Sequence, residues 1–250
     1  MKALKLRPEN IHHGSLVLVN ADWPVKEEPK AEFLAPVENG GAVLMDAQAA
    51  RMLTKLFSVV ESGDQIIAVS GFRALSEQRA IYENSLEENG ADFTRQYVAL
   101  PGCSEHQTGL AVDLAENSDA IDFLRPSFPY AGVCGRFRDR APDYGFIERY
   151  PEGREASTRI AYEPWHFRFV GYPHSKIITA EKLTLEEYTD DLRAFDFEKK
   201  RFLFRDNGLR CEIGFMRPDA VTEIEIPPRM AYQLSGNNAD GVVVTLWELA

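Results

Sequence analysis

The spacing of apolar residues changes character along the chain. In DAQAARMLTKLFSVVESG, Ala49, Met52, Leu53, Leu56, Phe57 and Val60 recur every three or four positions. That predicts a helix with one buried face, Asp46 as N-cap and Gly63 as its stop. A strand is predicted at Ile66–Ser70, and a second helix from about Ser76, with Ser76 as its cap. Residues 83–104 are polar and end in LPGCS, which predicts a loop. Short apolar or alternating runs predict strands at 15–20 (SLVLVN), 110–115 (LAVDLA) and 160–170 (IAYEPWHFRFV), while the proline-punctuated stretch 22–36 predicts irregular surface. Thr184-Leu-Glu-Glu187 has the form of a capping box and opens a last helix. Beyond Phe195 the pattern turns to β: KKRFLFRDNGLRCEIGFM places an Asp-Asn-Gly turn between alternating runs, and YQLSGNNADGVVVTLWEL repeats the arrangement.

Composition narrows the function classes. A chain of 250 residues with 44% apolar residues can bury a real core, and a net charge of −11 removes the basic face expected of a nucleic-acid binder. No window approaches the roughly 20 apolar residues needed to span a bilayer, and the opening MKALKLRPENIHHGSLVLVN lacks the apolar stretch of a signal peptide. A soluble, cytoplasmic chain is therefore expected. Cys103, Cys134 and Cys211 fit neither a disulfide framework nor a metal knuckle, and reduced thiols are the expectation. Cys103 stands near a candidate ligand but has no general-base pattern of its own, so it is read as a neighbour rather than a nucleophile.

Five histidines occur, of which His12, His13 and His174 lack an acidic or sulfur partner at ligand spacing and are read as surface or loop residues. His106 differs. It sits in SEHQTGLAVD, a loop histidine followed by a turn at Gly109 and a strand presenting Asp113. A third donor, His166, occurs in YEPWHFRFV three residues after Glu163. Two imidazoles and a carboxylate are ligands zinc accepts, with a fourth position left for water. On an unbroken strand Glu163 and His166 would face opposite ways, but Pro164 cannot join a regular ladder and predicts a bend that brings both to one side. Glu163 is then the general base outside the ligand set. A lone histidine is usually structural; two motifs together favour the metal.

These segments resemble a known family. S-x-H-x-x-G-x-A-x-D at 104–113 and E-P-W-H at 163–166 are similar to the paired signatures of the VanY / VanX / VanXY zinc D,D-peptidases, and SGFRALSEQ at 70–78 resembles a third, with Phe72 in place of Tyr and Ala74 in place of Ser. LVLVNADWPV at 16–25 resembles the family's opening strand. The resemblance covers about 10–195. It implies an α+β fold in which a small antiparallel sheet with flanking helices surrounds a zinc site, with 10–195 as the catalytic domain and 196–250 as a short C-terminal all-β extension. It implies zinc on His106, Asp113 and His166, Glu163 as catalytic base, and Arg73 polarising the scissile carbonyl. Gln78 and Ser104 would anchor the substrate's terminal carboxylate. Trp165 and Phe167 are assigned to the core.

The implied substrates are D-Ala-D-Ala as the free dipeptide and the D-Ala-D-Ala terminus of peptidoglycan precursor peptides. The motif details and the lack of a signal point to the cytoplasmic, VanXY-like branch. An L,D-carboxypeptidase acting on tetrapeptide stems is an alternative, since a ligand set does not read chirality. A non-catalytic zinc-fold binding module, like the hedgehog signalling domain that resembles this family, is another; retention of Glu163 argues against it. The oligomeric state is left open. The C-terminal piece, with no His and one Cys, is expected to be structural rather than a second catalytic unit.

Overall fold

The computed structural model describes residues 2–38, 41–218 and 220–248. In chain order the elements are β1 (Lys2–Leu6), β2 (Leu34–Pro36), β3 (Leu44–Asp46), α1 (Ala47–Val59), β4 (Ile66–Ser70), α2 (Leu75–Tyr97), β5 (Ala111–Glu116), α3 (Gly132–Arg140), β6 (Phe146–Tyr150), α4 (Glu155–Thr158), β7 (Glu163–Phe169), α5 (His174–Glu181) and α6 (Leu185–Leu192). They are followed by β8 (Phe202–Asp206), β9 (Leu209–Met216), β10 (Thr222–Ile226), β11 (Met230–Gly236) and β12 (Val242–Glu248). The chain forms two compact units, Val19–Thr184 and Met1–Leu18 with Leu185–Ala250.

The unit Val19–Thr184 is built on an antiparallel sheet of order β4-β5-β7-β6. Helix α1 forms as its spacing predicts, burying Ala49, Ala50, Leu53, Leu56 and Phe57. The Asp46 carboxylate accepts hydrogen bonds from the Gln48 and Ala49 amides, a cap worth about 1 kcal/mol. The chain turns left-handed at Glu61 (φ 54°), two residues before the expected glycine stop. Phe137 of α3 packs edge-on against Phe128 and Phe167, and Phe57 of α1 closes the same cluster.

Helix α2 departs from expectation. It starts at Leu75 with no side-chain cap, Ser76 lies inside it, and it runs to Tyr97 across a break at Gly90 (φ 80°) where a loop is predicted. Its buried residues are Gln78, Ser85 and Thr94, so no apolar stripe marks it, and a 2.8 Å hydroxyl bond between Ser85 and Thr94 ties the two halves together.

In the second unit β1 pairs with β10 and a separate antiparallel sheet runs β11-β12-β9-β8. Leu6, Phe197, Ile224, Ile226, Val242, Val244 and Leu246 form its buried cluster. The Asp-Asn-Gly turn closes β8 to β9, with Asn207 and Gly208 both at positive φ (48° and 81°), the geometry a two-residue hairpin needs. Between β11 and β12, the Asn237 side-chain oxygen accepts from the Ala239, Asp240 and Gly241 amides and folds the loop on itself.

The boundaries differ from the expected 10–195 and 196–250, because the first 18 residues and α6 join the β-rich piece. Pairing of β1 with β10 joins residues more than 200 positions apart and leaves no local trace. Residues 16–19 are buried, as expected, but form no ladder: the Leu16 amide donates to Ser235 Oγ and the Leu18 amide to the Asn237 carbonyl.

Candidate metal centre

His106 lies in a 3₁₀ turn, Glu105–Thr108, that ends at Gly109 in the left-handed region (φ 71°). A Cβ there would meet the Asp46 amide nitrogen at 2.9 Å, so a side chain fails on both conformation and space. Gly71 is constrained by space alone, since a Cβ would lie 2.3 Å from the Leu44 carbonyl oxygen. The Gly71 carbonyl in turn lies 2.7 Å from His106 Nδ1. A carbonyl only accepts, so Nδ1 carries the proton and Nε2 presents its lone pair, 3.2 Å from Asp113 Oδ2. Asp113 on β5 stands opposite His166 on β7 in the sheet, which brings His166 Nδ1 to 2.9 Å from Asp113 Oδ1. One donor atom from each of His106, Asp113 and His166 lies within 4.8 Å of the others, and all three residues are buried.

Strand β7 carries the predicted irregularity. Phe167 pairs with Glu148, yet Glu163 pairs with Tyr150, so four steps along β7 match two along β6. The extra residues form a bulge around Pro164 that re-aims the chain. As a result Glu163 and His166 reach the same cavity, with Glu163 Oε2 at 3.8 Å from His166 Nδ1.

Behind the trio sits a buried ion cluster. Arg149 Nε and Arg168 Nη1 donate to Glu105 Oε1 at 2.8 and 2.7 Å. The other Glu105 oxygen faces His166 Nε2 at 3.5 Å, at the outer limit of a hydrogen bond. Burial works against the Glu105 charge, but Arg149, Arg168 and His166 overcome it and hold the carboxyl well below the usual range. Asp113 is likewise held ionised against burial by the two imidazoles. Burial pushes His106 down, keeping it neutral. On His166 burial is outweighed by Asp113 and Glu105, which raise it to about 9. Glu163 moves the other way for a carboxylate, up to about 8, mainly through burial, opposed by His166 and aided by Asp113. Each imidazole turns one nitrogen toward Asp113, His106 through Nε2 and His166 through Nδ1.

The cavity measures about 390 Å³ and is lined by Arg73, Gln78, Ser104 and Trp165 beside the trio and Glu163. Arg73 donates to Gln78 Oε1 at 2.9 Å and to Ser70 Oγ at 2.8 Å, and Gln78 Nε2 donates to the Ala99 carbonyl. All seven site residues expected from the sequence therefore border one cavity. Trp165 is buried, as expected, and also lines the cavity, while Phe167 packs with Phe128 and Phe137. His174, expected on the surface, is buried at the start of α5. Sequence reasoning passed over Arg149 and Arg168, and did not read Glu105 as their buried partner. A signal existed for Arg168, a charged residue two positions from His166 inside an otherwise apolar strand.

The geometry defines a class: a mononuclear metal site of two histidines and one aspartate, with an additional carboxylate at its edge, in an antiparallel sheet. Zinc suits the donor set, since His106 is fixed through its other nitrogen by the Gly71 carbonyl, His166 turns its other nitrogen toward Glu105, and the Asp113 carboxylate is ionised. A family model described as VanY, D-alanyl-D-alanine carboxypeptidase, matches residues 42–172, and the chain belongs to that family. It is 44% identical over 182 residues to the bifunctional D-Ala-D-Ala dipeptidase and D-Ala-D-Ala carboxypeptidase VanXYC of Enterococcus gallinarum, covering 72% of this chain and 95% of that protein. The crystal structure of the vancomycin resistance D,D-dipeptidase VanXYg in complex with a D-Ala-D-Ala phosphinate analogue matches with a TM-score of 0.95 at 47% identity, covering 99% of both chains. A VanY D,D-pentapeptidase variant from a VanB-type resistance cassette, in complex with Zn(II), matches with a TM-score of 0.53 at 28% identity over 70% of this chain and 98% of that one.

Proposed function

We propose that this chain is a zinc-dependent D,D-peptidase that hydrolyses the D-Ala-D-Ala bond, as the free dipeptide and at the end of peptidoglycan precursor peptides. The observation that carries the reading is the placement of Glu163 beside the His106, Asp113 and His166 trio in one cavity of about 390 Å³. His106 Nε2, an Asp113 oxygen and His166 Nδ1 are the atoms that would hold the zinc. When bound, zinc supplies Lewis-acid polarisation and makes water a better nucleophile. Glu163 takes the proton from the attacking water and returns it to the leaving amine, from its place at the edge of the trio, 3.8 Å from His166 Nδ1. Arg73, already oriented by Ser70 and Gln78, offers guanidinium donors to the carbonyl oxygen as it gains charge. Gln78 and Ser104 border the same space and receive the substrate's terminal carboxylate.

Among the described residues no helix is long and apolar enough to cross a membrane, and all three cysteines are free thiols. A reducing, cytoplasmic setting is part of the proposal. The test is release of D-Ala from D-Ala-D-Ala and from a pentapeptide precursor, with and without chelator, and with a tetrapeptide stem to expose L,D activity. Chelator-sensitive release from either D-Ala-D-Ala substrate is expected. Release only from the tetrapeptide, or none from any substrate, overturns the reading.

A further inference from the structure

The bulge in β7 requires something outside the sheet to hold it, because a carbonyl displaced from the ladder needs a new donor. Arg138 on α3 supplies one. Its Nη2 donates to the Pro164 carbonyl at 2.5 Å and to the Phe128 carbonyl at 2.6 Å, while Nη1 donates to Glu148 Oε2. The guanidinium lies 3.8 Å from the centroid of the Tyr130 ring, with Phe128 and Phe167 also against it, and its side chain is only 9% exposed. The Tyr130 hydroxyl donates to the other Glu148 oxygen at 2.5 Å and accepts from the Tyr162 hydroxyl at 2.8 Å. Tyr162 and Pro164 are the two residues flanking Glu163. One hydrogen-bonded chain, Tyr162 to Tyr130 to Glu148 to Arg138 to the Pro164 carbonyl, thus grips the strand on both sides of that carboxylate.

We propose that Arg138, Tyr130, Glu148 and Tyr162 act as positioning residues that hold the β7 bulge in the form that turns Glu163 and His166 into one site. The inference rests on the roles assigned above to Glu163 and His166. An arginine fits where a lysine would not, since its planar fork reaches two carbonyls and a carboxylate at once while its faces stack on rings. Losing the grip shifts the base and one ligand together without touching substrate.

The decisive comparison is Arg138→Met, Tyr162→Phe and Glu163→Gln in the full, zinc-loaded chain. Each is measured for kcat and KM on D-Ala-D-Ala and for zinc retention against a chromophoric chelator. Arg138→Met is expected to lower kcat by about 10–100-fold, with weaker zinc retention and KM nearly unchanged. Tyr162→Phe is expected to lower kcat about fivefold, the worth of one hydrogen bond. A role in stability alone would lower the folded fraction yet leave kcat per zinc-loaded molecule and zinc retention at wild-type values, and that result overturns the proposal. Should Arg138→Met fail to fold, Tyr162→Phe decides, and an unchanged kcat there is equally fatal. Glu163→Gln separates the two levels: full turnover in that variant removes the base assignment, while zinc retention in Arg138→Met still reports on His166.

Discussion

The two units bury different chemistry. In Val19–Thr184 the buried polar residues include Glu105, His106, Asp113, Arg149, Glu163, His166, Arg168 and His174. In the other unit, those described are uncharged: Ser15, Thr189, Ser235, Asn237, Asn238 and Thr245. Its centre is the aliphatic cluster around Leu6, Ile224 and Val244. Buried charge is costly to desolvate, and a buried ion cluster such as Glu105 with Arg149 and Arg168 is weak evidence for stability. It is what a site needs, though, because donors and charges act most strongly where water is excluded. The contrast places the buried charged residues in one unit; that the β-rich piece is structural is an expectation that variants in each unit test.

The largest effect that tests this contrast is on the metal. His166→Ala should lose zinc, read by elemental analysis, and with it all detectable D-Ala release; zinc retained in full would break the ligand assignment. Next is Glu163→Ala, expected to lose about 10²–10⁴-fold in kcat while keeping its zinc. Because that change removes a buried carboxyl, its thermal midpoint should not fall.

The same comparison is sharpened from the other side by Leu246→Ala, a fully buried position in the β-rich unit. Denaturant unfolding should show a loss of about 2–5 kcal/mol, with kcat of the folded protein unchanged. A changed kcat would show that this unit contributes to turnover.

The last effect is acid sensitivity, which is absent at neutral pH and grows only as pH falls. Burial depresses His174 from 6.5 to about 3, so the unfolded chain takes up a proton that the folded chain refuses. Its contribution to stability is whole above the unfolded value and is lost as pH falls from 6.5 toward 3, at up to about 1.4 kcal/mol per pH unit. Unfolding of His174→Gln across that range should show a shallower loss than wild type; parallel curves would remove the residue from the acid response.

Local and periodic features were legible in the sequence: helix α1 with its Asp46 cap, the Asn207-Gly208 hairpin, and the donor residues with the break expected at Pro164. Each depends on neighbours a few positions away, where residue type and backbone geometry are directly coupled. The start of helix α2 was legible but its continuation beyond residue 82 was hidden because its buried face is polar, and that Trp165 also borders the cavity was hidden because alternation along a strand fails inside a bulge. What only the tertiary structure decided were long-range matters: β1 joining β10, Glu105 held between Arg149 and Arg168, and Arg138 reaching the Pro164 carbonyl. Such contacts join residues 26 to more than 200 positions apart, and sequence alone does not say which strand pairs with β1 or which arginine meets Glu105 or Pro164. The residue types able to bind and activate were written locally; their convergence on one point depends on a sheet register and a bulge that exist only once the chain has closed on itself.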